Sequence, residues 1–261
     1  MQLHFKQLGR GEPLILLHGL FGSSDNWLGV ASILAQHFHL FLLDLRNHGQ
    51  SPHSDETSFP RMAADVVEFM DAQKLDRANV LGHSLGGKTA MQLALDFPSR
   101  VEKLIVVDIA LRAYSPSEHE KIFQALLTLD LKNFQTRTQI EEALAPEIPD
   151  LGLRRFLLKN LKTPASPSSS FTWKMNLSGL FKNSPKIYEP IIYQTPFENP
   201  ALFLRGGKSR YVSDEDIPGI KKMFPQAKIE TIARAGHWVH ADAPEEFISL
   251  ISSFLVKDAQ P

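Results

Sequence analysis

Val80-Leu81-Gly82-His83-Ser84-Leu85-Gly86-Gly87 is the stretch whose reading decides the fold. The apolar run 78–81 that leads into it has the length of a buried strand. The run 88–95 that follows, Lys-Thr-Ala-Met-Gln-Leu-Ala-Leu, is made of helix formers. Between them stands Gly-x-Ser-x-Gly: Gly82, Ser84 and Gly86. A strand that turns straight into a helix holds its apical residue in a strained backbone conformation. Glycines two positions to either side remove the side chains that would collide there. The Ser84 hydroxyl is then lifted clear of the sheet, beside the positive end of a helix. A plain tight turn of small residues can spell the same five letters; the flanking strand and helix favour a nucleophile.

Outward from this elbow the pattern alternates. Strands are expected at 3–8, 14–17, 39–43 and 104–107, and helices at 27–36 and 62–75. Leu14-Ile15-Leu16-Leu17 is apolar throughout, as a strand covered on both faces requires. Strand–helix alternation argues for a parallel sheet with right-handed crossovers. The rhythm breaks between about 111 and 193. There helices are expected at 118–129, 139–145, 153–161 and 186–193, with a polar loop at 165–170. It resumes with strands at 201–204 and 228–232 and helices at 214–224 and 244–255. The expected organisation is a sheet core of 1–110 and 196–261 carrying a mainly helical cap inserted at 111–195. No internal repeat is visible.

Composition limits the function classes. The chain has 261 residues, 43% of them hydrophobic, enough for one large α/β domain with an inserted lobe. A net charge of −1 gives no reason to expect a nucleic-acid partner. With no cysteine there is no disulfide, thiol nucleophile or thiolate metal site. No apolar run approaches the ~20 residues of a membrane span, and the first residues lack the apolar core of a signal peptide, so a cytoplasmic protein without a membrane partner is expected. Oligomeric state is open.

The strings His18-Gly19-Leu20-Phe21-Gly22, Gly82-His83-Ser84-Leu85-Gly86-Gly87 and Gly236-His237-Trp238 resemble the α/β-hydrolase superfamily. Fuller strings resemble the bacterial YbfF-type esterases: Asp44-Leu45-Arg46-Asn47-His48-Gly49, Val107-Asp108-Ile109-Ala110 and Ala235-Gly236-His237-Trp238-Val239-His240. The likeness covers both sheet segments and little of the inserted part. It implies an α/β-hydrolase fold, a mostly parallel central sheet flanked by helices with an inserted helical cap.

The resemblance also implies a catalytic order of Ser, acid, His. Of the histidines after Ser84, His119 falls in the insertion, while His237 follows the last strand in a turn and is the expected base; His240 beside it reads better as a solvated or helix-start residue. Many superfamily members carry the acid after the strand equivalent to 201–204, in a Gly-x-x-Asp turn. Here that turn reads Gly206-Gly207-Lys208-Ser209. Asp108, at the end of the preceding strand, is therefore the expected acid, as in YbfF-type enzymes. Asp214 and Asp216 remain alternatives, although after Ser213 they read as first-turn acids of a helix. The backbone amides of Leu20 and Leu85 are expected to form the oxyanion hole, and Phe21 and Trp238 to line the substrate pocket.

Other residues carry plainer readings. His18 and His48 read as hydrogen-bonded turn residues rather than ligands, with Asp44 and Arg46 pinning their turn. Core packing is the better reading for at least two of Trp27, Trp173 and Trp238. Arg205, Lys208 and Arg210 near the mouth could attract the phosphates of coenzyme A, but a solvated rim explains them as well. The expected function is a serine hydrolase of carboxylic esters with short to medium acyl chains, with acyl-CoA thioesters as a second substrate class, needing no cofactor or metal. Alternatives are a C–C bond hydrolase or a menaquinone-pathway synthase using the same triad, a cofactor-free perhydrolase, and a binding protein that has lost catalysis.

Overall fold

The computed structural model describes residues 1–164, 166 and 169–256. In chain order the sheet elements open with β1 (Phe5–Leu8), β2 (Glu12–Leu17), α1 (Leu28–Leu34), β3 (Phe38–Leu43) and α2 (Phe59–Ala72). They continue with β4 (Ala78–His83), α3 (Leu85–Asp96) and β5 (Val101–Val107). After an insertion come β8 (Ala201–Gly206), α9 (Ile217–Met223), β9 (Ala227–Ile232), α10 (Val239–Asp242) and α11 (Pro244–Leu255). The seven strands lie in the order β1-β3-β2-β4-β5-β8-β9. Only the β1/β3 pair is antiparallel. The sheet is the mostly parallel one of the α/β-hydrolase fold.

Side-chain alternation sends each strand's apolar residues to two separate cores. Leu14, Leu16, Leu40, Leu42, Ile105, Val107, Leu202 and Leu204 pack with α1 and α11 through Val30, Leu34, Phe247 and Ile251. Ile15, Leu17, Phe41, Leu43, Val80, Val106 and Phe203 face the opposite way, onto α2 and α3 through Met62, Val66, Phe69 and Met91. The unbroken apolar run of β2 follows from this, since neither face meets water.

The insertion lies between the paired neighbours β5 and β8. It contains α4 (Ser117–Thr128), α5 (Arg137–Leu144), α6 (Leu151–Leu158), the two-residue strands β6 (Leu161–Lys162) and β7 (Thr172–Trp173), α7 (Leu177–Lys182) and α8 (Ser184–Tyr188). Its core, with Phe123, Ile140, Leu157 and Leu180, runs into the α2/α3 side of the sheet. Asn160 Nδ2 donates to Phe21 O at 2.6 Å, and Asn183 Nδ2 to Asp55 O at 2.9 Å.

Here the sequence expectation needs correction. The helix expected at 153–161 ends at Leu158, and Leu161 pairs with Trp173 in the β6/β7 hairpin. The helix expected at 186–193 ends at Tyr188 because Pro190 cannot continue it. α7 was not expected; Asn176 caps it, its side chain accepting from Gly179 N–H at 3.1 Å. Of the polar loop at 165–170, residues 165, 167 and 168 lie outside the described residues. Among the described residues no helix is long and apolar enough to cross a membrane.

Candidate active site

The elbow has the strain its sequence requires. Ser84 sits at φ 51°, ψ −114° between β4 and α3, a region that ordinary residues avoid. A Cβ on Gly82 would stand 2.1 Å from Gly86 O, and one on Gly86 would stand 2.3 Å from Leu17 O. Both glycines are therefore obligatory for close backbone packing. Lys88 N–H donates to Ser84 O at 3.0 Å, so the helix starts at the serine itself.

Asp108 ends the neighbouring strand at φ 51° and is buried. Its carboxylate gathers three donors. Gly206 N–H reaches Oδ1 at 2.9 Å, His237 Nδ1–H reaches Oδ2 at 2.8 Å, and the Ser209 hydroxyl also donates to Oδ2. Tyr211 N–H in turn donates to Ser209 Oγ at 3.2 Å. With Nδ1 protonated toward Asp108, the His237 Nε2 is left as a base. The Tyr211 ring lies nearly parallel to the imidazole, centroids 3.9 Å apart at 20°.

The alternative acids lie elsewhere. Asp214 pairs with Arg205 at 2.7 Å on the surface. Asp216 accepts from Ser213 N–H at 2.9 Å and pairs with Arg112 at 3.1 Å. Both start a helical segment, the role their spacing suggested. Arg205, engaged by Asp214, is not a free cation at the mouth.

Ser84 and His237 line one cavity of about 340 Å³. No hydrogen bond among the described residues joins Ser84 Oγ to His237. Leu20, Phe21 and Trp238 line the same cavity, together with His119 and Phe156 from the insertion. Leu20 lies in a turn closed by Gly22 N–H on Gly19 O at 2.9 Å, and Leu85 opens α3. Neither amide has a backbone acceptor among the described residues, and helix-start amides are unpaired by construction.

Four more imidazoles are buried here, and three of them, His18, His83 and His240, line the same cavity. His18 Nδ1–H donates to Gly19 O at 2.8 Å, and its Nε2 accepts from Leu45 N–H at 3.0 Å. His48 Nδ1–H donates to Arg46 O at 2.9 Å, and burial pushes this imidazole down to about 3. Burial also lowers His83, whose Nε2–H donates to His237 O at 2.9 Å, and takes His240 to about 4. His240 is thus no solvated residue: it sits against Trp27, ring centroids 4.6 Å apart. Asp44 and Arg46 do pin the turn. Asp44 accepts from Ser24 N–H at 2.6 Å, and Arg46 holds Asp65 at 2.6 Å. Among the described residues no group of three or more His, Cys, Asp or Glu side chains is arranged to hold a metal ion. Trp27 is buried beneath α11 and also lines the cavity, Trp173 packs on the insertion's core, and Trp238 lines the cavity with its ring 5.6 Å from Phe156.

Sequence reasoning missed Tyr211, Tyr188 and Lys88 around Ser84. The departure at Ser209 was the one available signal, because it marked a position facing the acid. Nothing in the spacing of the aromatic residues pointed to Tyr211.

The chain is similar to known proteins over nearly its whole length. The family described as "alpha/beta hydrolase fold" matches residues 12–244. The Escherichia coli K12 esterase YbfF is 37% identical over 246 residues, covering 94% of this chain and 93% of that protein. A mouse protein named sn-1-specific diacylglycerol lipase ABHD11 is 37% identical over 249 residues, 93% of this chain and 80% of the relative. A solved marine microorganism esterase superposes with a TM-score of 0.94 at 45% identity, covering 97% of this chain and 99% of that one. A match that runs from β2 to the start of α11, with relatives this similar over nearly the whole length, makes the chain a member of the α/β hydrolase fold family, on its YbfF-type branch.

Proposed function

We propose that the protein hydrolyses carboxylic esters of short to medium acyl chains through an acyl-enzyme on Ser84. The observation that carries this is the 2.8 Å bond from His237 Nδ1–H to a buried Asp108 carboxylate, with Ser84 on a strained elbow facing the same cavity. The reading requires Ser84 Oγ to meet His237 Nε2 across the cavity both line; such contacts are often open without substrate. His237 Nε2 takes the hydroxyl proton as Ser84 Oγ attacks the ester carbonyl. Asp108 holds the imidazole and stabilises its protonated form. The Leu20 and Leu85 amides receive the negative charge on the carbonyl oxygen. His237 gives its proton to the leaving alcohol, then activates water to release the acid.

Phe21 and Trp238 wall the cavity on the substrate side. Residues 111–195 act as its cap, contributing His119 and Phe156. Thioesters such as acyl-CoA would follow the same steps with a thiol as leaving group. The relatives are named as esterases and a lipase, which supports an ester as substrate.

The test is hydrolysis of phenyl acetate by wild type and by Ser84→Ala. The expected loss is about 10⁴-fold or more in kcat/KM. Equal turnover by the two proteins would overturn the assignment.

A further inference from the structure

Two cavities meet at Ser84. The large one is lined by His237, the group that hands a proton to the leaving oxygen, so the alcohol part of the ester belongs there. The other is a recess of about 30 Å³, lined by Ser84 and Leu85 but not by His237. With the carbonyl carbon on Ser84 Oγ, the recess is left for the acyl chain. One water-sized group needs at least about 10–15 Å³ of such space, so the recess has room for about two non-hydrogen atoms.

Its wall is not purely apolar. The Tyr188 hydroxyl is buried and has no hydrogen-bond partner among the described residues. Buried polar groups left unpaired are costly and rare. Tyr114, in the same wall, shows the contrast: its hydroxyl accepts from Ala110 N–H at 2.8 Å and donates to Tyr211 O at 2.6 Å. Lys88 also lines the recess. Its buried ammonium donates to Arg112 O at 2.8 Å and Glu189 O at 2.5 Å, and forms no ion pair among the described residues. Its charge makes the recess favour an electronegative atom over a methyl group. His119 lies parallel to the Tyr188 ring, centroids 5.8 Å apart at 12°, and burial lowers it to about 4, so it is neutral near pH 7 and adds no competing charge.

We propose that this recess is an acyl subsite for short acyl groups that carry an oxygen within two atoms of the ester carbonyl carbon, that oxygen accepting a hydrogen bond from the Tyr188 hydroxyl. The proposal rests on the serine-esterase reading above and narrows its acyl side. Chains too long for the recess are turned over more slowly.

The experiment measures kcat/KM for phenyl glycolate and phenyl propionate with wild type, Tyr188→Phe and Ser84→Ala. The two acyl groups have the same number of non-hydrogen atoms and differ by a hydroxyl in place of a methyl. The intrinsic activation by the α-oxygen cancels when the glycolate-to-propionate ratio is compared between proteins. That ratio is expected to fall about tenfold in Tyr188→Phe. A ratio unchanged to within about twofold overturns the subsite and leaves the esterase reading standing. Should Tyr188→Phe fail to fold, wild type alone decides. With each rate divided by that for hydroxide, glycolate is expected to keep a preference of about tenfold. No preference, or one for propionate, overturns the subsite. Absence of any Ser84-dependent turnover of both esters removes the hydrolase reading and the subsite together.

Discussion

The sheet region and the insertion between β5 and β8 are built on different terms. Each central strand is apolar on both faces, and its neighbours fix its register. The insertion consists of short helices, some capped by a single side chain such as Asn176 or Asp150, and a hairpin with two residue pairs. The sheet region holds the strained residues Ser84 and Asp108 and the bonded pair Asp108–His237. The insertion contributes the walls His119, Phe156 and Tyr188. On the proposed reading, the chemistry falls to the sheet region and the insertion supplies walls of the cavity. Strain of this kind persists only where the surroundings enforce it.

The comparison breaks most visibly at the acid. Asp108→Asn leaves shape intact but reverses the hydrogen bond that sets the His237 tautomer, and a loss of about 10⁴-fold in kcat is expected. Asp214→Asn, a surface residue paired with Arg205, is expected to change kcat by less than about twofold. Phenyl acetate kinetics on the two variants decides it, and similar losses in both would remove Asp108 from its role.

Glycine substitutions sharpen the structural half. Gly82→Ala drives a methyl against backbone at 2.1 Å and is expected to cost about 3 kcal/mol or more. Gly152→Ala, in α6 of the insertion, meets only the Asp150 side chain at 3.2 Å and is expected to stay within about 1 kcal/mol of wild type. Urea unfolding measures both. Equal costs would mean that the elbow is no tighter than the insertion.

Much of this contrast was legible in the sequence. Apolar runs of strand length gave the parallel strands of the sheet their approximate places, because a strand covered on both faces has no polar option. Ser84 and His237 were legible from glycine-flanked turns. Asp108 was legible from the missing carboxylate at Ser209 and from the resemblance to YbfF-type chains. The insertion was less so. Leu161 follows a helical run without a break in pattern, and only its pairing with Trp173 takes it out of the helix. Tyr188, Lys88 and Tyr211 reach the site through chain segments far apart in sequence, which no local period records. His240, read as a solvated or helix-start residue, does stand at the start of α10, but packing on Trp27 buries it.

Acid pH adds a smaller effect that reaches both regions, since burial also holds His119 of the insertion at about 4. His48 and His240, both buried in the sheet region, are held at about 3 and about 4. The folded chain keeps them neutral, whereas the unfolded chain binds protons there below about pH 6.5. Unfolding therefore takes up protons, and stability is full above pH 6.5 and falls as pH drops below it. Each histidine accounts for about 2 kcal/mol between pH 6.5 and pH 5. Denaturant unfolding of His240→Phe is expected to lose part of this slope. An unchanged slope would place the acid sensitivity elsewhere.

The central claim is that Ser84 is a nucleophile activated by His237 and oriented by Asp108. Labelling the folded protein with a fluorophosphonate and locating the adduct by mass spectrometry tests it most directly. The account predicts a single adduct on the peptide carrying Ser84, formed at least about 10³-fold more slowly in His237→Ala. Folded wild-type protein that takes no adduct at Ser84, or takes it equally fast without His237, would contradict it.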